Sequence, residues 1–269
     1  MIKRTLTGAV VLVFVYAWLF FSHIPAVLHI GTVILGFSAA FEVLRICKPH
    51  SKKERWITLL FSAALLVLPI PKYEYFMLLI FFVAVILFAV LMATKDSIKD
   101  FNIKIAAAVS ITVVLLFKAI PELREWNNGF YYLIFAVTAC FVTDVAAFLF
   151  GKAFGKRKLC PRISPNKTVE GAFGGVICTM LVIAIVTNFL DKYDLMHFNT
   201  AALIIWSVLI SIIGQFGDLC MSAVKRISGV KDFGRFLPGH GGILDRFDSH
   251  MFAVAFTLVF CVLGGEFIR

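Results

Sequence analysis

Nine apolar stretches, each separated from the next by a polar segment, dominate this chain of 269 residues. A helix that crosses a hydrocarbon core of about 30 Å takes about 20 residues, and the stretches range from marginal to ample for that length. Charged residues make up only 16% of the chain, too little to coat a soluble surface. The sequence therefore predicts an all-α, polytopic membrane protein of about nine transmembrane helices. We place the spans at Thr5–Phe21, Ile24–Phe41, Trp56–Ile70, Tyr75–Thr94, Ile105–Ile120, Phe130–Phe150, Gly171–Leu190, Ala201–Val224 and Met251–Phe267.

The basic residues are distributed unevenly between the two sides of this topology. With a cytoplasmic N-terminus, 21 of the 26 Lys and Arg residues fall on the cytoplasmic side and 5 on the other. This bias follows the positive-inside rule, and the loss of one early helix would scramble it. We therefore expect a multi-pass protein of the inner, cytoplasmic membrane with its C-terminus outside. Topology and attraction to anionic lipid account for the net charge of +10, so no nucleic-acid partner is expected.

Two cytoplasmic segments, 151–170 and 225–250, differ from the other connections, and we call them the first and second motif loops. Both mix glycine, proline, basic residues and carboxylates, whereas a loop kept only for topology needs cations alone. We therefore divide the chain into an N-terminal part of about five spans, 1–125, and a C-terminal catalytic part, 126–269, that carries both loops.

Two aspartates interrupt the apolar stretches near their cytoplasmic ends. Asp144 precedes Lys152 by eight residues, and Asp218 precedes Lys225 by seven. At a rise of 1.5 Å per residue, both lie about 10–12 Å below the ends of their helices. A lone carboxylate at that depth costs several kcal/mol unless it is paired or binds a cation. The matching depths favour one shared polar cavity over separate polar contacts between helices.

Asp245 and Asp248 are three residues apart in the second loop, so a helix would place both on one face. Alone, this spacing is more typical of a capped helix start, but beside two buried aspartates it favours metal binding. Carboxylate ligands select a hard cation, and Mg²⁺ fits best. The sequence predicts that one or two divalent ions, with a monovalent companion left open, bind Asp144, Asp218, Asp245 and Asp248.

Basic and glycine residues in the same loops are suited to phosphate. Backbone amides at Gly239, Gly241 and Gly242 would approach a phosphate closely. His240 is left open between a structural role and contact with phosphate or base. We expect a polyphosphate to be cradled by Lys167, Lys225, Arg226, Lys231 and Arg246.

The second loop and the helix before it resemble the signature of the phosphatidate cytidylyltransferases, also called CDP-diacylglycerol synthases. The upstream part of the chain from Asp144 to Gly171 is also similar to the family's pattern, whereas the first half is similar only in its apolar spans. The resemblance in the signature is carried by Ser222, Lys225, Arg226, Lys231, Asp232, Gly234, Leu237, Pro238, His240, Gly241, Gly242, Asp245, Arg246 and Asp248.

The resemblance implies an enzyme that joins CTP and phosphatidic acid into CDP-diacylglycerol and pyrophosphate for phospholipid biosynthesis, with Mg²⁺ and as a homodimer. The lipid phosphate would attack the α-phosphorus of CTP in line. We assign catalytic roles to Asp218, Lys225, Arg226, Lys231, Asp245, Arg246 and Asp248. We assign substrate binding to Ser164, Asn166, Lys167, Thr168, Ser222, His240, Gly241 and Gly242.

Three other functions stay open at this point. A CTP-dependent polyprenol or phytol kinase, or a related lipid cytidylyltransferase, would share the spans and part of the loops. An ion-coupled transporter would also use buried aspartates, although transport does not require long basic loops rich in glycine and proline.

Overall fold

The computed structural model describes residues 13–46, 52–70, 72–94, 102–234 and 241–268. Within these ranges the chain forms nine helices and one pair of short strands. They are α1 (Val13–His23), α2 (Pro25–Ile46), α3 (Lys52–Val67), α4 (Tyr73–Thr94), α5 (Ile103–Glu125), α6 (Gly129–Phe154), β1 (Lys158–Cys160), β2 (Ser164–Thr168), α7 (Val169–Lys192), α8 (Thr200–Ile227) and α9 (Leu244–Val262).

Each predicted apolar stretch overlaps one of these helices. Five of the described helices, α2, α5, α6, α7 and α8, are long and apolar enough to cross a membrane by length and composition. The predicted all-α, polytopic membrane fold is therefore confirmed. The number of crossings and the side on which each terminus lies stay predictions.

Large apolar side chains cover the outside of the bundle. Phe148 on α6 and Phe173 on α7, for example, are 67% and 66% exposed. Water would disfavour so much exposed apolar surface, but lipid solvates it. Inside the bundle the larger of two buried hydrophobic cores includes residues from Val15 on α1 to Ile268 after α9. Because α4 and α5 pack directly against α9, the predicted parts 1–125 and 126–269 share that core.

The helix starts are fixed by side chains that accept hydrogen bonds from free backbone amides. The side chain of Asn102 caps α5, that of Thr168 caps α7 and that of Asn199 caps α8. Such caps satisfy amides that have no partner within the helix. The cap at Thr168 matters most for the site, because it makes the end of β2 the start of α7.

The first motif loop contains a small β-hairpin that the apolar pattern does not indicate. Strands β1 and β2 are antiparallel, with Lys158 opposite Thr168 and Cys160 opposite Ser164. The amide of Ile163 donates to the carbonyl of Cys160 at 3.1 Å and closes the turn. The hairpin gives the residues of β2 a defined position beside α6 and α7.

Helix α9 begins earlier and ends earlier than the predicted last span, Met251–Phe267. It runs from Leu244 to Val262. Its first turns contain Asp245, Arg246 and Asp248. Because these residues are polar, the apolar pattern predicted a loop here instead of a helix. They form helix because their side chains have partners inside the protein.

Candidate functional site

The four predicted acidic residues converge at one end of the bundle. Asp144 on α6, Asp218 on α8, and Asp245 and Asp248 on α9 all line a cavity of about 350 Å³, called the aspartate cavity here. Asp144 and Asp218 also line a second cavity of about 420 Å³ beside the hairpin, called the hairpin cavity. The helices α6, α8 and α9 pack against each other, so the tertiary fold holds these carboxylates together.

Lys167 on β2 forms the first ion pair of the site. Its Nζ lies 2.6 Å from Oδ2 of Asp218, and both side chains are about one-quarter exposed. Lys167 also lines the hairpin cavity together with Asn166 and Thr168. The β-hairpin therefore places a cation directly at a membrane-embedded carboxylate.

Lys225 and Asp245 form the second ion pair. Nζ of Lys225 lies 2.8 Å from Oδ1 of Asp245, and their side chains are only 11% and 4% exposed. The other oxygen, Oδ2, accepts hydrogen bonds from the backbone amides of Phe233 and Gly242, both at 2.9 Å. Asp245 therefore ties the second motif loop to the last turns of α8.

Gly241 requires its small size at this point of the loop. Its φ is +81°, and an added Cβ would come within 2.7 Å of Oδ2 of Asp245. A side chain would be strained by the backbone and would also collide with the carboxylate. Its role here is close backbone packing, which leaves the predicted contact with phosphate a prediction.

Asp248 is almost fully buried and makes contact with a second carboxyl group. Its side chain hydrogen-bonds Asp218, and its Oδ1 accepts from the amide of Ser249 at 2.8 Å. The hydroxyl of Ser222 lies one helical turn from Asp218 and donates to its Oδ1 at 3.4 Å. Two acidic side chains this close share negative charge that a cation or a proton must offset.

The residues fit a hard divalent cation by chemistry, although they do not form a closed ligand shell. The donors are carboxylate oxygens, as Mg²⁺ prefers. Among the described residues, however, no group of three or more His, Cys, Asp or Glu side chains already surrounds one point. Lysine ammonium groups occupy part of that space, at Asp218 and Asp245. A divalent ion would therefore replace or displace these lysine contacts.

Three predicted basic residues have different surroundings. Arg246 lines the aspartate cavity and lies close enough to Asp144 to interact with it electrostatically. The guanidinium of Arg226 instead donates to the carbonyl oxygens of Ile163 and Val230, at 3.1 and 3.4 Å. Lys231 lines a neighbouring cavity rather than the aspartate cavity.

The remaining predicted substrate residues lie at the rim or outside the described ranges. Ser164 pairs with Cys160 at the start of β2, whereas Thr168 caps α7 by accepting from the amide of Gly171 at 3.1 Å. His240 and the adjoining Gly239 lie outside the described residues. Their predicted contacts with phosphate stay predictions.

Glu42 is a site-supporting residue that the sequence reasoning missed. Its carboxylate on α2 accepts hydrogen bonds from the amides of Ile243 and Leu244, both at 2.9 Å. Its side chain is only 6% exposed. Through these two hydrogen bonds Glu42 caps the start of α9 from the N-terminal half of the chain. In the sequence, Glu42 is a carboxylate at the end of an apolar stretch, which could have indicated a buried role. The basic segment after it instead suggested that this side chain is exposed to solvent.

Gln215 is a second missed residue. It lies on α8 and lines the hairpin cavity with Asp144 and Asp218. Its Nε2 donates to the carbonyl oxygen of Ala172 on α7 at 3.3 Å. The sequence shows Gln215 only as a polar amide side chain inside an apolar helix. It belongs to neither of the motifs that pointed to the other site residues.

Comparisons with known proteins point to one family. A family model described as "Cytidylyltransferase family" matches residues 2–263. A protein of Staphylococcus epidermidis named "Phosphatidate cytidylyltransferase" is 49% identical over 128 residues. Proteins of the same name from Staphylococcus saprophyticus and Staphylococcus aureus are 50% identical over 130 residues and 48% identical over 128.

Each of these alignments covers 48% of this chain and 48% of the relative. The chain therefore matches about half the length of the curated relatives. The family model, in contrast, extends through the N-terminal helices and through the aspartates of α6, α8 and α9. Since it matches nearly the whole chain, this protein belongs to the cytidylyltransferase family.

Proposed function

We propose that this protein transfers CMP from CTP to phosphatidic acid, which gives CDP-diacylglycerol and pyrophosphate. The observation that carries the proposal is the convergence of four aspartates with Lys167, Lys225 and Arg246 at two adjoining cavities. Membership of the cytidylyltransferase family and the name of the relatives support it.

The reaction brings two polyanions together, so the first requirement is positive charge. Lys167 and Lys225 each hold an ammonium group at a carboxylate of the site. When CTP enters, these ammonium groups can turn from the carboxylates to the phosphates. Arg246, on the wall of the aspartate cavity, adds a planar donor that suits phosphate oxygens.

The carboxylates would hold Mg²⁺ at Asp144, Asp218, Asp245 and Asp248. When bound, the ion supplies neutralisation of the charge on the α-phosphate and on the incoming lipid phosphate. Asp248 and Asp218 already lie in hydrogen-bonding contact, so these two carboxyl groups are placed to share one ion.

The transfer itself needs positioning rather than a covalent enzyme intermediate. An oxygen of the lipid phosphate forms a bond to the α-phosphorus of CTP, and the bond from that phosphorus to the oxygen bridging to the β-phosphate breaks. The electron pair leaves with pyrophosphate. Lys225 would stabilise the departing charge, while Lys167, Asn166 and Thr168 would hold the substrate in the hairpin cavity.

The location of the aspartates in the helices suits a lipid substrate. Asp144 and Asp218 lie within helices that are long and apolar enough to span a membrane, near the ends that face the motif loops. A phosphate headgroup can reach this depth while its acyl chains stay in the bilayer. Since CTP is made in the cytoplasm, we propose that the site faces the cytoplasm from the inner membrane.

The charge distribution supports this orientation. The loops that carry Lys167 and Lys231 lie with the end of α2 at the site end of the bundle. The positive-inside rule predicts that all three segments are cytoplasmic. We also propose that the enzyme acts as a homodimer, which cross-linking in native membranes would test.

The decisive experiment follows the label from CTP into lipid. Purified protein is incubated with phosphatidic acid or with a polyprenol, and CTP carries the label at either the α- or the γ-phosphate. Cytidylyl transfer puts only the α-label into lipid, and only with phosphatidic acid. Incorporation of the γ-label would show a kinase instead. Nucleotide-independent solute uptake by reconstituted vesicles, without lipid labelling, would favour a transporter.

A further inference from the structure

A groove between the end of α2 and the start of α3 combines positive charge with an apolar floor. Its volume is about 270 Å³. We call it the α2–α3 groove; its lining residues are Phe41, Leu44, Arg45, Lys52, Arg55, Trp56 and Leu59. The three cationic residues and the four apolar ones come from two separate helices, so the tertiary structure brings them together.

The lining suits an amphipathic anion rather than a soluble one. Arg45, Lys52 and Arg55 are the charged members, and the described lining contains no carboxylate. Trp56 and Phe41 lie beside these cations and are 61% and 48% exposed. Tryptophan at the level of lipid headgroups is typical of membrane interfaces, and cations at that level attract anionic lipid. A phospholipid meets both halves of this surface at once.

A row of cavities with shared lining residues lies between this groove and the aspartate cavity. Phe41 and Arg45 also line a cavity of about 400 Å³ that reaches Gly234. Arg45 and Gly234 in turn line a cavity of about 520 Å³ that contains Lys231 and Asp232. Asp232 is shared with the aspartate cavity. Each cavity therefore shares lining residues with the next, and Arg45 and Lys231 are the cations along this row, beside the carboxylates of Glu42 and Asp232.

We propose that the α2–α3 groove is a docking site for the phosphate headgroup of phosphatidic acid, from which the lipid passes to the aspartate cavity. This inference rests on the proposed function, because it assigns a place to the lipid substrate of that reaction. A phosphate monoester carries about −1.5 to −2 charges near pH 7. Such a headgroup matches three converging cations better than a phosphodiester with one charge does.

Basic residues at helix ends also help to orient the helices in the membrane. A control variant with the same loss of charge outside the groove distinguishes this role from lipid binding. Lys53 is exposed and adjoins Lys52 but does not line the groove. Lys104, near the start of α5, is likewise exposed and lies in a segment with the same predicted orientation. The double variant Lys53→Ala/Lys104→Ala therefore removes as much charge as Lys52→Ala/Arg55→Ala while it leaves the groove intact.

The kinetic experiment measures CMP transfer in mixed micelles as the mole fraction of phosphatidic acid is varied. Lys52→Ala/Arg55→Ala is expected to raise the half-saturating mole fraction at least about fivefold, with kcat and the KM for CTP changed less than twofold. The control pair is expected to behave as the wild type. Equal shifts in both double variants, or no shift in either, would overturn the docking site.

A binding experiment without CTP separates this proposal from the proposed function. The fluorescence of Trp56, isolated as the difference between the wild type and Trp56→Phe, is quenched by lipids with brominated acyl chains. Phosphatidic acid is expected to quench it at lower mole fraction than phosphatidylcholine or phosphatidylglycerol. Equal quenching by phosphatidylglycerol would show a general anionic-lipid site and overturn the assignment. Selective quenching by phosphatidic acid in a protein that transfers no CMP would instead contradict the proposed reaction and support the docking site.

Discussion

The ammonium group of Lys167 lies 2.6 Å from a carboxylate oxygen of Asp218. This contact joins the β-hairpin of the first motif loop to the α8 helix that leads into the second. The ion pair thus connects two residues that are 51 positions apart in the chain, at the point where both cavities meet. It is the contact that substrate phosphates would compete for.

Replacing Asp218 with Asn tests the role of the ion pair between Lys167 and Asp218. The Asp218→Asn variant keeps the size of the side chain but removes its charge, so neither Lys167 nor a cation is held. We expect membrane insertion to be unchanged and kcat to fall at least about 100-fold, as when a preorganised charge is removed from a catalytic site. CMP transfer in membranes of matched protein content measures this.

The matched control is Asp194→Asn, which removes an 87% exposed carboxylate at the opposite end of the bundle. It should leave CMP transfer within twofold of the wild type. Wild-type activity in Asp218→Asn would remove this residue from the site.

Lys225→Met tests the more deeply buried ion pair. The variant leaves the Asp245 carboxylate, which is 4% exposed, without its ammonium partner. Loss of one member of a buried pair typically costs about 3–5 kcal/mol, so we expect a clearly lower melting temperature in detergent as well as loss of activity. A double-mutant cycle with Asp245→Asn provides the control, since the two effects should not add. Strict additivity would show that the pair contributes no coupling.

Glu42→Gln tests whether the N-terminal helices position the site. The variant replaces a carboxylate that accepts two backbone hydrogen bonds at the start of α9 with a neutral amide. Hydrogen bonds to a charged group contribute about 1.5–3 kcal/mol, so the start of α9 should loosen and Asp245 should lose its fixed position. We expect kcat/KM for CTP to fall about tenfold at temperatures well below melting.

Glu54→Gln, an exposed acid in the first turn of α3, is the control and should keep its activity. A lower melting temperature in Glu42→Gln with normal kinetics at low temperature would mean that Glu42 stabilises the fold without positioning the site.

Asp144→Asn tests the predicted metal site through the Mg²⁺ dependence of the reaction. Removal of divalent ions with a chelator should abolish CMP transfer by the wild type, and added Mg²⁺ should restore it. In the variant, the Mg²⁺ concentration for half-maximal rate should rise at least about tenfold, as in other weakened metal sites. The variant Asp191→Asn, at the far end of α7, should titrate as the wild type. Chelator-resistant transfer by the wild type would contradict the metal site.

His197 provides a pH-dependent contact far from the site. It lies between α7 and α8, with Nδ1 2.9 Å from Asp191 and Nε2 3.2 Å from Asp194. The hydrogen bond to Asp191, helped by the charges of Asp194 and Asp191, raises the pKa of His197 above its ordinary value of 6.5. The contact of protonated His197 therefore contributes its full stabilisation below about pH 6.5. This contribution disappears as the pH rises through the raised pKa.

The melting temperatures of the wild type and His197→Gln should accordingly differ at pH 5.5 and converge at pH 9. The difference should be small, because the contact is exposed to solvent. A constant difference over this range would show that His197 is not protonated in the contact.

The sequence alone predicted the helices and selected the four aspartates that the fold brings to one cavity. Lipid solvates apolar side chains and excludes free backbone polar groups, so long apolar stretches predict helices before any contact is known. For the same reason a carboxylate such as Asp144 inside such a stretch indicates a polar cavity. The signature around Asp245 indicated the family, which the match over residues 2–263 has since confirmed.

Only the tertiary structure decided which residues meet. The pairs of Lys167 with Asp218 and of Lys225 with Asp245, and the cap of α9 by Glu42, depend on how the helices pack. Hydropathy has no information about direction around a helix, so it cannot say which apolar helix supplies a partner. The fold gives the helix ends their common location, and with it the cavities in which these charges act.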